Sequence, residues 1–206
     1  DLIRMIMGIL HPDEGSVALF GGDPDAVRRT KVGYLPEERG VYKKMKCLEF
    51  VVFLGEIRGV RRPEGRKRGL EWLERLGLAE CADKRVEDLS KGMQQKIQFL
   101  TCVLHEPDLL ILDEPFSGLD PVNMRLLRDL ILGEHERGTT IIFSTHVMAQ
   151  AEALCDRIVM IDQGTKVLDE SVSEIRAKYD PRVVNLEPLD PDADVAALSR
   201  LPGIRT

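Results

Sequence analysis

The chain has 206 residues, 43% of them hydrophobic, and a net charge of −6 with a pI near 5.4. This is enough for one domain with a sizeable core, or one domain plus a fragment. The acidic balance gives no support for nucleic-acid binding, no apolar run approaches the ~20 residues that span a bilayer, and no secretory signal is present. Four scattered cysteines form no C-x-x-C pair, which indicates buried residues in a reducing compartment rather than disulfides or a zinc site.

The start of the chain mixes turns with short apolar segments. Residues 1–10, DLIRMIMGIL, are mostly apolar and have no helix start signal ahead of them, so they predict the rear part of a helix. The segment HPDEGS follows as a turn rich in Pro, Asp and Gly. Two short strands are then predicted, in SVALFGG (16–22) and in KVGYLP (31–36).

Residues 47–105 have a helical pattern that predicts three helices, in CLEFVVFLGEIRGV, PEGRKRGLEWLERLGL and SKGMQQKIQFLTCVLH. Strands and helices alternate after that. The predicted strands are DLLILD, TTIIFST and RIVMID, and the predicted helices are PVNMRLLRDLILGEHERG and VMAQAEALC. Because residues 109–113 and 140–144 are nearly continuous aliphatic runs, we expect both strands to be covered on both faces, in a parallel sheet with helices on each side.

The end of the chain predicts a hairpin and then an incomplete unit. The segment DQGTKVLDES predicts a hairpin-like return with Gly164 at the turn. The residues after Pro181, RVVNLEPLDPDADVAALSRLPGIRT, predict one strand and one helix, which are too few to enclose a core. We therefore expect residues 181–206 to begin a second small domain that is cut short.

Two adjacent acids, Asp113 and Glu114, follow directly after the aliphatic strand in LLILDEP. Ligands of a parallel α/β sheet bind beyond the carboxyl ends of its strands, and neighbouring side chains point in different directions. One acid can therefore hold a hard cation such as Mg²⁺ while the other orients or deprotonates an attacking water. The alternative is structural, with Asp113 capping the next helix and Glu114 as a solvated loop acid.

Three further stretches favour phosphate chemistry. In EDLSKGMQQKIQF, Ser90 stands at a helix start and Gly92 permits close backbone approach, which makes either an anion site or an ordinary helix cap. In STHVMAQ, His146 follows an aliphatic strand as Asp113 does, so we expect it at the same sheet edge, although a lone histidine there is usually structural. The third stretch, VGYLPEERGVYKKM, is a strand followed by a proline and an acid pair in a basic loop.

Taken in order, these stretches resemble the nucleotide-binding subunit of an ABC transporter. LLILDEP resembles its Walker B strand and SGLD the loop after it, LSKGM resembles the signature usually written LSGGQ, STH resembles the histidine switch, and GYLPEERGVY resembles the Q-loop. Order and spacing match over residues 1 to about 170. The implied fold is α/β, a P-loop NTPase-type, mostly parallel sheet with an inserted helical subdomain at about 43–107.

The resemblance implies ATP and Mg²⁺ as ligands and gives each matched residue a role. Asp113 would bind Mg²⁺, Glu114 would polarise the attacking water, and His146 would contact the γ-phosphate. The residues that would contact the nucleotide held by a partner subunit, or lie at the dimer interface, are Ser90, Lys91, Gly92, Met93 and Asp120.

Three positions depart from the family pattern. Glu37 stands where the Q-loop has a glutamine, and its carboxylate suits metal coordination while adding negative charge near the phosphates. Lys91 and Met93 replace a glycine and a glutamine of the signature, and Lys91 is either an attractive charge toward phosphate or a solvated lysine. Together YLPEERG and LSKGMQQK resemble the subgroup of exporters related to sodium-extruding and ABC-2-type pumps.

No G-x-x-x-x-G-K-[ST] motif occurs in the 206 residues, although the family places this phosphate-binding loop just before the helix that residues 1–10 would end. The strand before that loop is also missing, so the implied fold lacks its N-terminal strand and phosphate loop. We expect residues 1–180 to form the ATP-binding domain. We also expect these 206 residues alone to bind ATP weakly or not at all, without turnover.

Three functions stay open on the sequence. The leading one is the ATPase subunit of an exporter, which would form a homodimer or heterodimer, partner an integral membrane permease, bind no nucleic acid, and lie in the cytoplasm on the inner face of the cell membrane. Residues 43–62 favour it, because in the family this basic-flanked apolar helix lies near the surface that receives the permease; otherwise it is ordinary helical core. The alternatives are a soluble ABC ATPase of translation or DNA repair and a non-catalytic fragment.

Overall fold

The computed structural model describes residues 2–21, 24–37, 40 and 42–179. The described residues fall into two compact units, which divide between Val147 and Met148. Within the described ranges, no helix has the length and apolar character needed to cross a bilayer. The strand and helix predicted after Pro181 lie outside the described residues, so the domain boundary at residue 180 stays a prediction.

The first unit opens with helix α1 (Leu2–Ile6), helix α2 (Pro24–Lys31) and strand β1 (Val32–Leu35). Helix α1 and strand β1 confirm the predicted helix end and the second predicted strand. Helix α2 is not predicted by the apolar periodicity. Its signals are of another kind, an acid in the first turn and three basic residues in the last, which complement the helix dipole.

The strand predicted over residues 16–22 is wrong for its described part. Only Leu19 makes a β-bridge there, and positive φ angles at Phe20 (51°) and Gly21 (69°) turn the chain. Residues with high strand propensity form a strand only where a neighbouring strand pairs with them. No strand described in the chain supplies such a partner to this segment.

Three helices, α3 (Cys47–Ile57), α4 (Arg62–Arg75) and α5 (Lys91–Val103), confirm the helices predicted over residues 47–105. Their apolar side chains recur at helical spacing and close around one core. The fully or almost fully buried members of this core include Leu48, Phe50, Val51, Leu73, Ile97 and Leu100. Two short 3-10 turns, Ala79–Cys81 and Val86–Asp88, connect α4 to α5.

The sheet of the first unit has the order β1-β2-β3, with β2 at Leu109–Asp113, β3 at Thr140–Ser144 and helix α6 (Pro121–Glu136) between them in sequence. Both strand pairs are parallel, which confirms the predicted sheet type. The register sets Leu35 beside Leu112 and Asp113 beside Ser144. All three carboxyl ends therefore lie at one edge of the sheet.

Helices cover β1 and β2 on both faces. On one face, residues of α1 and α2 pack against Val32, Leu109 and Ile111. On the other face α5 comes so close that a Cβ on Gly33 would overlap the carbonyl oxygen of Cys102. Strand β3 differs, because Ile142 is 40% exposed. The predicted burial on both faces is therefore confirmed for β2 and wrong for β3, which pairs only with β2 among the described strands.

The second unit contains helix α7 (Met148–Leu154), strands β4 (Arg157–Asp162) and β5 (Thr165–Ser171) and helix α8 (Val172–Tyr179). The two strands are antiparallel and confirm the predicted hairpin. Gln163 (φ 46°) and Gly164 (φ 79°) form the connection, and two successive positive φ angles are what a type I′ hairpin turn requires.

Candidate functional site

The predicted acids and imidazole meet at the carboxyl ends of β2 and β3. The Oε1 atom of Glu114 lies 2.8 Å from Nδ1 of His146 and accepts a hydrogen bond from the His146 backbone N–H at 3.0 Å. Asp113, the last residue of β2, lies in register beside Ser144. The sheet edge therefore brings Asp113, Glu114 and His146 together, as their places after two parallel strands predict.

The contact with Glu114 indicates which nitrogen of the His146 ring carries the hydrogen. A carboxylate oxygen only accepts hydrogen bonds, so Nδ1 must carry the hydrogen that joins the pair. Nε2 is then the other hydrogen-bonding atom of the ring, and it donates to an anion only when the imidazole is protonated. The His146 side chain is 80% exposed while that of Glu114 is 18% exposed, so the ring is much more open to a ligand from solvent than the acid is.

Ser144 joins the two acids. Its hydroxyl donates to Oδ1 of Asp113 and accepts from the backbone N–H of Glu114 at 3.2 Å. The Ser144 carbonyl accepts from the same N–H at 3.2 Å. The motif STH contains this serine, but only the register between strands that are 31 residues apart shows that it contacts Asp113.

Glu114 has a strained backbone. Its φ of 46° is in the left-handed region, and the next residue is Pro115, which further restricts the residue before it. Such a conformation persists only where neighbouring contacts hold it. Here the Ser117 N–H donates to the Glu114 carbonyl at 3.1 Å, and the buried ring of Phe116 packs edge-on against Phe143 with centroids 6.2 Å apart.

A tyrosine, Tyr34, lies near Asp113, although the sequence does not predict it. Burial raises the pKa of the Tyr34 hydroxyl, and the negative charge of Asp113 raises the same pKa further while Arg4 opposes it. Tyr34 is therefore within electrostatic reach of the strand-end acid. Tyr34 belongs to β1, and an alternating polar position in that strand is the only signal the sequence offers.

Glu37, the second predicted metal ligand, is exposed in a bend just after β1, at the same edge of the sheet as Asp113. Among the residues that the structure describes, no three His, Cys, Asp or Glu side chains converge to hold a metal. Mg²⁺ is commonly held by one or two carboxylates plus water and phosphate oxygens. The residues present fit that kind of binding, and the metal roles of Asp113 and Glu37 stay predictions.

The predicted signature segment forms the start of α5. Ser90 is the N-cap, and its hydroxyl accepts from the Met93 N–H at 3.3 Å. The Met93 side chain packs against the helical core. Lys91 is exposed, and a Cβ placed on Gly118 would lie 3.8 Å from its Nζ, so the ammonium lies over the loop after β2. The nucleotide contacts predicted for these residues stay predictions.

Gly92 brings the start of α5 against the start of α6. A Cβ on Gly92 would lie 2.9 Å from Nδ2 of Asn123, so a side chain at this position would force the Asn123 amide to move. The side chain of Asn123 donates to Asp120, whose carboxylate also caps α6 by accepting from the Val122 and Asn123 N–H groups at 3.0 Å. These hydrogen bonds, led by the one from the Asn123 N–H, lower the pKa of Asp120. Asn123 is thus a link that the sequence motifs alone do not reveal.

Comparison with known proteins gives a consistent result. The family model described as ABC transporter matches residues 1–117. An uncharacterized ABC transporter ATP-binding protein of Alkalihalophilus pseudofirmus is 41% identical, over 98% of this chain and 74% of its own length. The linearmycin resistance ATP-binding protein LnrL of Bacillus subtilis is 36% identical, over 80% of this chain and 54% of its own length.

Solved structures show the same similarity in three dimensions. A structure described as the ATP binding subunit of an ABC transporter superposes with a TM-score of 0.79 and 29% sequence identity, covering 89% of this chain and 78% of that one. This confirms the predicted P-loop NTPase-type fold. The chain spans 74%, 61% and 64% of the length of three of its relatives, so it matches only part of each.

Proposed function

This chain belongs to the ABC transporter family of ATP-binding proteins, and from that premise we propose that it is the ATP-hydrolysing subunit of a membrane exporter. ATP binding is a property of the family, while ATP hydrolysis by the full-length protein and an export role are the proposal. The resistance protein LnrL is one relative whose name fits an export role. A soluble ABC ATPase and a non-catalytic fragment are the alternatives, and no contact in the described structure favours either.

The contact between Glu114 and His146 carries this proposal. A carboxylate held 2.8 Å from an imidazole, at the carboxyl end of a parallel strand, is an arrangement suited to activating water beside a ligand. Both His146 contacts use Oε1 of Glu114, so Oε2 is left outside this pair. We assign Oε2 to the attacking water, which it orients and from which it removes a proton.

Asp113 and His146 have complementary roles in the proposed reaction. The Ser144 hydroxyl donates to Asp113, whose carboxylate would hold Mg²⁺, with Glu37 close to the same edge of the sheet. Mg²⁺ when bound supplies positive charge that offsets the phosphate oxygens. Protonated His146 donates from Nε2 to the γ-phosphate, while Glu114 keeps the ring oriented through Nδ1.

The signature segment and Asp120 act on a second ATP, in this proposal, through dimerisation of two ATP-binding subunits. Ser90 and Gly92 stand at the start of α5, where free helix amides and the helix dipole favour an anion. Asn123 joins this segment to Asp120, so the two stretches that would face a partner subunit form one surface. Lys91 adds positive charge to it.

A permease surface is proposed on the exposed side of α3. Phe53 is 36% exposed and Ile57 is 50% exposed, and Tyr42 packs edge-on against Phe53 with centroids 5.8 Å apart. The other apolar residues of α3 face the helical core. The exposed face that carries Phe53 and Ile57 is therefore apolar although the core does not use it. Co-purification of the full-length protein with a membrane permease is the measurement that tests this docking role. Loss of co-purification in Phe53→Asp, with ATP hydrolysis retained, is the expected result.

The 206 residues contain no G-x-x-x-x-G-K-[ST] motif, so the proposal concerns the full-length gene product. We expect residues 1–206 alone to bind Mg·ATP weakly and without turnover. Titration of this chain with Mg·ATP tests that expectation, and a micromolar Kd would contradict it.

The central test is phosphate release by the full-length protein and by its Glu114→Gln variant. Glutamine keeps the shape of the side chain but cannot accept a proton from water, so we expect turnover to fall by about 10²-fold or more while ATP binding persists. The matched control is Glu136→Gln, which changes an exposed glutamate at the end of α6. Unchanged turnover in Glu114→Gln would remove the role assigned to that carboxylate.

A further inference from the structure

We infer that Gln95 is a positioning residue for Glu114, and that it ties the signature helix to the water-activating loop of the same subunit. This inference rests on the function proposed above. Neither the sequence motifs nor the family resemblance assigns a role to Gln95, which is the fifth residue of α5. It acts through the backbone of the loop after β2 and does not itself touch ATP.

The contact is buried and short. Gln95 is 2% exposed, and its side-chain Nε2 donates to the carbonyl oxygen of Pro115 at 2.6 Å. Pro115 is also buried and directly follows Glu114. A buried carbonyl oxygen needs a hydrogen-bond donor, and the Gln95 side chain supplies one to Pro115. The amide of Gln95 therefore holds the Pro115–Phe116 peptide group, which is one residue beyond Glu114.

Glu114, whose backbone is strained, is anchored by hydrogen bonds on both sides, and the contact between Gln95 and Pro115 is the C-terminal one. On the N-terminal side, the Glu114 N–H donates to both the hydroxyl and the carbonyl of Ser144. On the C-terminal side, Gln95 holds the next carbonyl. Glu114 has a φ of 46° between these two anchors, and relaxation to an ordinary φ would swing its carboxylate away from His146. Loss of the Gln95 anchor is therefore expected to loosen the Glu114–His146 pair.

The other end of the link lies at the start of α5. Gln95 is five residues after the cap Ser90, on the same short rigid helix, so a shift of the helix start moves the Nε2 donor with it. A ligand that engages Ser90 and Gly92 would thus bear on the position of Glu114 through one hydrogen bond. Asn123 makes the neighbouring contact to Gly92, but it reaches Asp120 and not the strained peptide.

The test variant is Gln95→Met in the full-length protein, because methionine has a similar shape but no N–H donor. We expect kcat for ATP hydrolysis to fall about tenfold, while KM for ATP stays within about twofold. The matched control is Gln98→Met. Gln98 lies on the same helix and is 6% exposed, so it reproduces the loss of a buried amide without the Pro115 contact. Similar losses of kcat in both variants would overturn the inference.

A double variant separates positioning from a general loss of structure. If Gln95 acts through Glu114, Gln95→Met should lower the residual turnover of Glu114→Gln by less than about twofold, because the group it positions is already disabled. A further tenfold loss would show that Gln95 acts independently of Glu114 and would overturn the inference. A wrong proposed function would give a different result, which is full turnover in the Glu114→Gln single variant or no turnover in the wild type.

A spectroscopic readout decides the case even where turnover is absent. The His146 backbone N–H donates to Oε1 of Glu114, so its NMR amide resonance reports the position of that carboxylate. We expect this resonance to shift or broaden in Gln95→Met and to stay in place in Gln98→Met. An unmoved His146 resonance in Gln95→Met would overturn the inference, whatever the rate of hydrolysis.

Discussion

Strands β2 and β3 are parallel neighbours with similar aliphatic sequences, LLILD and TIIFS, yet their environments differ. The first four residues of β2 are buried, with α1 and α2 on one face of the sheet and α5 on the other. Strand β3 is half-exposed, and Ile142 is the side chain that marks the difference. The sheet therefore has a closed side, formed by β1 and β2, and an open side, formed by β3.

The comparison shows that a strand's composition does not determine its burial. Ile111 and Ile142 are register partners with the same side chain, but one is 0% exposed and the other 40%. What differs is the number of packed layers around each strand. The proposed site lies where the two sides meet, because Asp113 and Glu114 come from the closed strand and Ser144 and His146 from the open one. Rigidity on one side and access on the other suit a site that binds an exchangeable ligand.

The largest expected effect is the difference between Ile111→Ala and Ile142→Ala. Ile111 is completely buried, so its truncation removes apolar contacts and leaves a cavity, which costs about 3 kcal/mol of unfolding free energy. Ile142 has already lost part of that burial, so the same change there should cost about 1 kcal/mol. Urea denaturation of the two variants, measured beside the wild type, gives both values.

These two variants are each other's control, because they change the same side chain at directly paired positions. A difference of well over 1 kcal/mol sharpens the contrast between the closed and open sides. Equal losses would break it, and they would mean that β3 is covered in the protein by something other than the residues described. They should be measured singly, because contacting residues do not give additive effects.

The next effect comes from His105, which belongs to the closed side. The residue is 9% exposed, its Nε2 lies 3.3 Å from the Val32 carbonyl at the start of β1, and its Nδ1 has no hydrogen-bond partner among the described residues. Burial, helped by the charge of Arg58, lowers the pKa of His105 from 6.5 to about 4. The unfolded chain therefore binds a proton at higher pH than the folded protein does.

Because the pKa of His105 is lower in the folded protein than in the unfolded chain, the folded protein becomes less stable as the pH falls. Stability from neutral His105 is complete above pH 6.5 and is lost as the pH falls toward 4, with about 2 kcal/mol lost between pH 7 and pH 5. Replacing His105 by glutamine should remove that part of the acid sensitivity, measured by urea denaturation at the two pH values. His135→Gln, at an exposed position near the end of α6, is the control. An unchanged pH slope in His105→Gln would mean that the ring is solvated in solution.

The sequence predicts the parts of this structure that depend on local patterns. The aliphatic runs mark β2 and β3, and their parallel pairing places Asp113 and His146 at one edge without any knowledge of the family. The helix cap at Ser90 also follows from sequence, because the cap forms within one turn.

The remaining parts depend on pairs of residues that are distant in sequence. Ser144 contacts Asp113, and Gln95 contacts Pro115 across 20 positions, so neither contact has a local signature. The strand predicted at residues 16–22 fails for the same reason, since a strand needs a partner that its own sequence does not contain. The exposure of Ile142 is likewise a property of the layers around β3 and not of its residues.

The smallest expected effect comes from Ser144→Ala, which acts where the two sides meet. Without the hydroxyl, Oδ1 of Asp113 loses its donor, whereas the Glu114 N–H still reaches the Ser144 carbonyl at 3.2 Å. We therefore expect the change to affect Asp113 more than Glu114. In the full-length protein, the Mg²⁺ concentration for half-maximal hydrolysis should rise by up to about tenfold, or about 1.4 kcal/mol, with a smaller change in the maximal rate.

Ser144→Thr is the matched control, because it keeps a hydroxyl on the same carbon and should leave the Mg²⁺ requirement close to that of the wild type. Measuring the half-maximal Mg²⁺ concentration and the maximal rate in both variants separates two ways in which β3 could support the site. A raised Mg²⁺ requirement with a preserved rate means that the open strand orients the acid of the closed strand. A preserved Mg²⁺ requirement with a reduced rate would instead mean that Ser144 acts on Glu114, and that Asp113 is held by β2 alone.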